Sequence, residues 1–374
     1  MDPIAGAEAR IKQLCCMGGP SEAIIPAVLK ELQGVLPACG STFFWCGEDG
    51  EISNLYDDPL TAPEVIGLYL REFYGRPERE LNPGLSYLMQ HYQGVVEFSR
   101  ILLVDRQTYL NSDFYNLILR PPGYAKGLHL FVRAGGRPQG DLAVWRGLDD
   151  VAFTTQGKQH LQGLESFIAH ALGGCRKVGA TQASLVDEDE HGELLIVDRM
   201  GKIQHISAQA RKLLFLATHP QVTPRTTPRE AVRLPAEIIQ ACRKLVAIFE
   251  GKQEALAPPV YEYHNPWGGF VFRAYWLDNG HPLDSLIGIT IRHQIPRSVR
   301  IIGQLGRFSL SRRQMQTCVL LASGYSDADI AREMNMSLNT VITHNRRIYE
   351  KLNVHSRAEL INELLGGKNI PRRS

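Results

Sequence analysis

The sequence lacks any apolar run near the ~18 residues needed to span a bilayer, so no membrane segment is expected. It also lacks a Cys-x-x-Cys pair. Its seven cysteines are scattered, and only Cys15 and Cys16 are adjacent. That pattern indicates neither a zinc site nor a disulfide framework, and it fits a reducing cytoplasm. None of the twelve histidines stands in His-Glu-x-x-His or another metal-binding spacing. Ser, Cys and His occur without a recognised nucleophile motif, so no catalytic role, metal or cofactor is expected. The first residues, Met1-Asp2-Pro3-Ile4-Ala5-Gly6, hold no basic stretch leading into an apolar one, and no secretion signal is expected. Gly135 and Gly140 have the separation of a phosphate loop. Asp141-Leu142 follows where Lys-Ser/Thr is required, so a hairpin turn is the better reading.

What is present is an uneven charge. The net charge of the 374 residues is only +2, yet residues 300–374 hold twelve Lys/Arg against six Asp/Glu. The rest of the chain is net acidic. A basic end on an acidic body suits a polyanion-binding module joined to something else. At this length two or three domains are expected.

Two stretches read as linkers, 173–192 with its Asp187-Glu188-Asp189-Glu190 run, and 297–306, which is basic and shows no clear period. They leave a mixed α/β segment over 1–172, a second over 193–296, a helical segment over 307–366 and a tail over 367–374. In the first segment, helices are predicted near 5–16 and 21–36. Strands are predicted at 41–46 and 51–56, and a hairpin joins 128–133 to 141–146. A helix from Thr155 to Leu172 carries Leu161, Leu164, Phe167, Ile168 and Leu172 on one face. That stripe is long enough to pair with a second copy or to pack on its own sheet. The second segment alternates strand, turn and strand over 194–206. Helices at 207–217 and 236–249 follow, then strands at 260–263, 270–277 and 286–292.

From Leu310 the sequence punctuates short helices. Ser311, Ser326, Ser337 and Ser356 are N-cap candidates, and Gly324 suits a left-handed helix end. Asp329 and Glu359 are capping-box partners. A two-turn helix at 327–334, a turn at Asn335-Met336 and a longer helix at 338–352 make the helix-turn-helix layout. The longer helix fits the major groove, with its first turns facing the bases. Val341, His344, Ile348 and Leu352 are assigned to the core. Ser337, Asn339, Thr340, Ile342, Thr343, Arg346, Arg347 and Lys351 are the candidate DNA contacts. Arg pairs with guanine or phosphate, and Asn pairs with adenine.

These residues resemble the LuxR-type helix-turn-helix. The resemblance rests on Leu310-Ser311-x-Arg313, Leu321-Ala322-x-Gly324-Tyr325-Ser326 and Asp329-Ile330-Ala331. It continues through Met336-Ser337-x-Asn339-Thr340-Val341-x-Thr343-His344, Lys351-Leu352 and Ser356-Arg357-x-Glu359-Leu360. There are two departures: Gln314 stands where the family usually has Glu, and Ile342 where it usually has Lys or Arg. The resemblance implies a cytoplasmic transcription regulator that binds double-stranded DNA as a homodimer and works with RNA polymerase. It also implies that the helix at 357–365 is a dimer contact.

Residues 193–296 resemble a PAS domain, through Leu195-Ile196-Val197-Asp198-Arg199-Met200-Gly201-Lys202-Ile203 and Ala208-x-Ala210-Arg211-x-Leu213-Leu214. Residues 1–172 resemble a GAF-type sensory domain. Both resemblances imply antiparallel sheets with flanking helices, used to hold a small-molecule effector or to dock and dimerise. A phosphorylated receiver's acidic layout is missing. So is the Trp-x-x-x-Tyr with downstream Trp-Asp of acyl-homoserine-lactone sensors, which Trp45 with Tyr56-Asp57 does not reproduce. The first segment is rich in aromatics, which suits an apolar or aromatic ligand. Phe43, Trp45, Tyr56, Tyr87, Phe98, Phe114 and Tyr115 are the candidate contacts. His264 and His293 are the residues of the second segment that could ligate haem, and no haem is expected.

Overall fold

In a computed structural model, the chain is described over residues 3–59, 61–75, 78–173, 185–189, 191–226, 233–252, 260–277 and 286–366. It opens with two helices, α1 (Pro3–Cys15) and α2 (Ser21–Leu32), packed against each other. Strands β1 (Gly40–Cys46) and β2 (Ile52–Asp58) follow. Short helices α3 (Pro63–Leu68) and α4 (Leu85–His91) lead to strand β3 (Gly94–Glu97), and helix α5 (Arg106–Leu110) comes next. Strands β4 (Lys126–Ala134) and β5 (Arg137–Arg146) complete an antiparallel sheet in the order β2-β1-β5-β4-β3.

The β4–β5 turn is tighter than the glycine-rich stretch suggested. Gly135 and Gly136 alone make it, with φ of 57° and 79°, the left-handed pair a two-residue hairpin requires. Arg137–Gly140 already belongs to β5.

The long helix expected over Thr155–Leu172 is two helices, α6 (Thr155–Gln162) and α7 (Glu165–Gly173), broken at Gly163-Leu164. Leu161, Leu164 and Ile168 are fully buried, and α7 packs on β4, α1 and α2. The stripe is therefore spent inside its own domain. Phe167 and Leu172, at its outer edge, are half-buried.

The second α/β unit begins earlier than expected. Residues 174–184 of the proposed first linker, and 190, lie outside the described residues. Its Leu185–Asp187 forms β6, paired with the far end of the unit's last strand. Strands β7 (Glu193–Val197) and β8 (Ile203–Ile206) are followed by α8 (Ala208–Thr218), whose N-cap Ser207 accepts from the Ala210 N–H. Helix α9 (Ala236–Phe249) and strands β9 (Val260–Asn265), β10 (Gly268–Leu277) and β11 (Leu286–Pro296) complete a sheet ordered β8-β7-β11-β10-β9. The two units lock through aromatic rings. Trp267, at the β9–β10 turn, is buried with its ring centroid 5.8 Å from Trp45 and 5.6 Å from Tyr56. Its Nε1 donates to the His219 carbonyl at 2.9 Å.

The second expected linker is a helix. α10 (Arg297–Leu305) buries Val299, Ile301, Ile302 and Leu305. A 3.6-residue period is present in that run, masked by the arginines between the apolar positions. α10 packs on α1, α2 and β11, and on the first and last of the four helices that follow. The four are α11 (Arg312–Ala322), α12 (Asp327–Glu333), α13 (Leu338–Leu352) and α14 (Arg357–Leu365). The tail assigned to 367–374 lies outside the described residues. No helix among the described residues is long and apolar enough to cross a membrane.

Candidate nucleic-acid interface and front-domain cavity

The helical end is set by its caps. Ser311 accepts from the Gln314 N–H and Gln314 Oε1 accepts from the Ser311 N–H, a closed capping box. Ser326 and Asp329 close a second box at α12. Gly324 takes φ of 103° behind α11, and Asn335 takes φ of 50° in the turn from α12 to α13. Ser337 caps α13 by accepting from the Thr340 N–H. Ser356 caps α14, but Glu359 reaches back to the His355 N–H and not to that of the cap.

α13 turns Val341, Asn345, Ile348 and Leu352 inward. His344 is only half-buried, with its Nδ1 turned out of solvent, and Asn345 packs inside beside it, its Nδ2 donating to Asp327 Oδ1 at 2.8 Å. Offsets of three and four from Val341 both fall near the inner face of a helix. The sequence pattern assigns Asn345 to neither face, and Asp327 accepts from its amide nitrogen.

The opposite face is free. Ser337, Asn339, Thr340, Ile342, Thr343, Arg346 and Arg347 are exposed. Thr343 Oγ1 donates back to the Asn339 carbonyl at 2.8 Å, and Arg346 meets Glu350 at 3.0 Å across a solvated pair. Such a pair contributes little and opens easily. Lys351 differs from the other candidates. Its ammonium donates to the Ser309 carbonyl at 2.6 Å and to Gln314 Oε1 at 3.0 Å. It ties α13 to the start of α11 and is turned away from the exposed face. The neutral Gln314 at this position supplies both the capping oxygen and the lysine's acceptor.

A second site lies in the first α/β unit. A cavity of about 90 Å³ sits on one face of its sheet. Of the seven aromatic candidates, Phe98 and Phe114 line it. Phe43 and Trp45 point to the other face, where Trp45 Nε1 donates to Ser21 Oγ at 2.9 Å. Tyr56 meets Trp267 and Lys212 on that same face. Tyr87 is 47% exposed and stacks on His91, and Tyr115 packs on Tyr109. The reason is strand parity. Phe43-Phe44-Trp45 are consecutive, side chains alternate, and sequence does not say which set faces the cavity. Phe44 is the one that does.

The register explains the polar wall that sequence reasoning missed. Asp57 pairs with Thr42, Thr42 with Ala143 and Ala143 with His129, so all four side chains share the cavity face. Asp57 is buried and accepts from Thr42 Oγ1 at 2.7 Å, the Thr61 N–H at 3.1 Å and Tyr124 OH at 3.1 Å. Burial raises its carboxyl above the ordinary range, against those hydrogen bonds, which lower it. Glu78, from the irregular stretch before α4, is pushed up to about 7 by burial, although backbone and side-chain donors oppose this. His129 Nδ1 lies 2.7 Å from Asp141 Oδ2. Among the described residues no group of His, Cys, Asp and Glu is arranged to hold a metal ion.

Comparison with known proteins bears on the helical end. Residues 308–364 match the family described as bacterial regulatory proteins, luxR family. A 59-residue stretch, 16% of this chain, is 39% identical to the oxygen regulatory protein NreC of Staphylococcus epidermidis and covers 27% of it. A 52-residue stretch, 14% of this chain, is 40% identical to the HTH-type transcriptional regulator MalT of Vibrio campbellii and covers 6% of it. The chain thus spans about a quarter or less of these curated relatives. Two solved structures are also similar. One is the Vibrio cholerae VqmA dimer without target DNA, at 14% identity over 48% of this chain and 84% of that one, with a TM-score of 0.17. The other is the VqmA–ligand–DNA complex, at 16% identity over 50% and 87%, with a TM-score of 0.19.

Proposed function

We propose that this chain, whose residues 308–364 form a LuxR-type helix-turn-helix domain, is a sequence-specific DNA-binding transcription regulator. The carrying observation is the exposed face of α13, where Asn339, Thr343, Arg346 and Arg347 stand clear of the domain that holds them. Arg346 and Arg347 are the base-reading candidates, while Thr340 and Thr343 suit phosphate. One such helix covers few base pairs, so a homodimer on a two-fold site fits best, with its helices about 34 Å apart. The front units are assigned as a GAF-like domain (1–172) and a PAS-like domain (193–296, with β6 added to its sheet) that sense a small apolar or aromatic ligand. The cavity beside Phe98 and Phe114 supports that assignment. RNA polymerase is the expected partner, and the cytoplasm the expected location.

A second reading makes the front units docking and dimerisation modules with no ligand. The exposed Leu194, Tyr275 and Leu277 on the second sheet favour it. Calorimetry and native mass spectrometry of the purified protein separate the two, because only a sensor carries or takes up a small molecule.

The DNA assignment is tested by fluorescence anisotropy on an operator selected from random duplexes. Affinity falls with salt at a slope of roughly −0.9 per phosphate neutralised. Arg346→Ala and Arg347→Ala each cost about 1–3 kcal/mol where the arginine pairs with guanine, and relax preference at one base position. Salt-independent binding would overturn the assignment, and two arginine variants that read every site as wild type does would overturn the orientation given to α13.

A further inference from the structure

The cavity in the first unit is mainly apolar, with Phe44, Phe98, Phe114 and Trp145 among its walls. A dry apolar cavity of roughly 150 Å³ takes benzene. At about 90 Å³, this one is smaller, so a single ring is the largest occupant it takes. Polar groups interrupt the wall, and they fall into two kinds. Asp57 is already served by its threonine and tyrosine donors. Glu78 and His129 are served in part only, each with one polar atom left unmet. Both line the cavity and are 5% and 4% exposed, and Glu78 Oε2 and His129 Nε2 have no hydrogen-bond partner. Because Asp141 holds the opposite nitrogen of the ring, His129 Nε2 is a fixed and directed polar atom.

Buried polar atoms of this kind are costly unless something meets them. They also select what enters. An anion would face the carboxyls of Asp57 and Glu78 in a place where water does not screen them. A cation would find Asp57 already engaged, and Asp141, whose Oδ1 is unpartnered, is not among the lining residues; that leaves Glu78, whose carboxyl burial holds partly protonated near neutral pH. An apolar ring with no polar group would leave both orphan atoms unmet. A hydroxyl serves either one, since it donates to a lone pair and accepts from a proton.

We propose that this cavity binds a small uncharged aromatic molecule bearing a hydroxyl group. The ring packs among Phe44, Phe98, Phe114 and Trp145, and the hydroxyl bonds to His129 Nε2 or the Glu78 carboxyl. The proposal rests on the sensor reading above and narrows it to one cavity and one chemistry.

Phenol, toluene, benzoate and benzylamine test it. The four share a ring and differ in hydroxyl, methyl, anion and cation. Each is titrated by calorimetry into the full chain at neutral pH. Phenol is expected to bind at least tenfold more tightly than toluene, with no heat from benzoate or benzylamine. Ile66→Phe fills the cavity, since Ile66 lines it, and is expected to abolish phenol binding with circular dichroism unchanged. Leu119→Phe, from another wall, does the same where Ile66→Phe fails to fold. Toluene binding as tightly as phenol overturns the hydroxyl assignment and leaves an apolar sensor standing. Preferred binding of either charged probe overturns the uncharged class. Undiminished phenol binding in a folded, filled variant overturns the site alone. Failure of all four probes to bind overturns the proposal, and an empty native mass spectrum beside it overturns the sensor reading as well.

Discussion

At the scale of single residues, the unusual member is Glu78. Burial holds its carboxyl at about 7, whereas in the unfolded chain it titrates near 4.5. The folded protein therefore keeps a proton that the unfolded chain releases. The associated stability is fully present below pH 4.5 and is lost as pH rises through 7. The loss is about 3 kcal/mol when complete. Glu78→Gln stays neutral at every pH, so its melting temperature is expected to exceed that of the wild type at pH 8 and match it near pH 4.5. Thermal melts across that window check this, and parallel curves for the two proteins would show that Glu78 is not the titrating group. Asn345 and Lys351 make a related point. Each is polar and sits on the recognition helix, yet each is used to hold the domain together.

At the scale of elements, α7 and α10 matter most. Leu164 and Ile168 are fully buried between α7, β4 and the first helices. An aspartate at either place buries an unpaired charge, which costs several kcal/mol. The Leu164→Asp, Ile168→Asp double variant is expected to unfold the first unit, seen as lost far-UV circular dichroism. A folded monomer with native dichroism would return α7 to the role of dimer seam. α10 joins the two ends of the molecule. It continues from β11 without a break and packs on α14, α11, α1 and α2. A helix continuous with the second sheet and seated against the first unit is placed to carry a shift from either to the DNA-binding end.

At the scale of the whole molecule, the front units meet around Trp267, whose ring packs on Trp45 and Tyr56. Polar contacts surround it. Val222 N–H donates to Asn54 Oδ1 at 2.9 Å, and Lys212 pairs with Asp58 at 3.4 Å. Removing the indole takes away the centre of that contact, at a cost of about 3–5 kcal/mol for a buried aromatic. Trp267→Ala is expected to uncouple the units, so calorimetry records two unfolding transitions in place of one. A single transition at the wild-type temperature would mean the rings contribute nothing to the joint.

The helical end was legible in the sequence because its determinants are local. Serine caps, the left-handed Gly324 and the apolar spacing of α13 act within a turn or two of the residues they order. The exposed face from Ser337 to Arg347 followed from that period. The edges of β7, β8, α8 and α9 followed from similar short-range patterns. The front-end site was different. Thr42, Asp57, Ala143 and His129 come from four strands and meet only when the sheet's register is set. One residue of slip moves every side chain to the other face, which is how Phe43 and Trp45 were assigned to a cavity that Phe44 lines. The helices α7 and α10 differ in this. The stripe of α7 showed that an apolar face must be covered, whereas that of α10 was masked by its arginines, and in both only the packing of the chain decided what covers it.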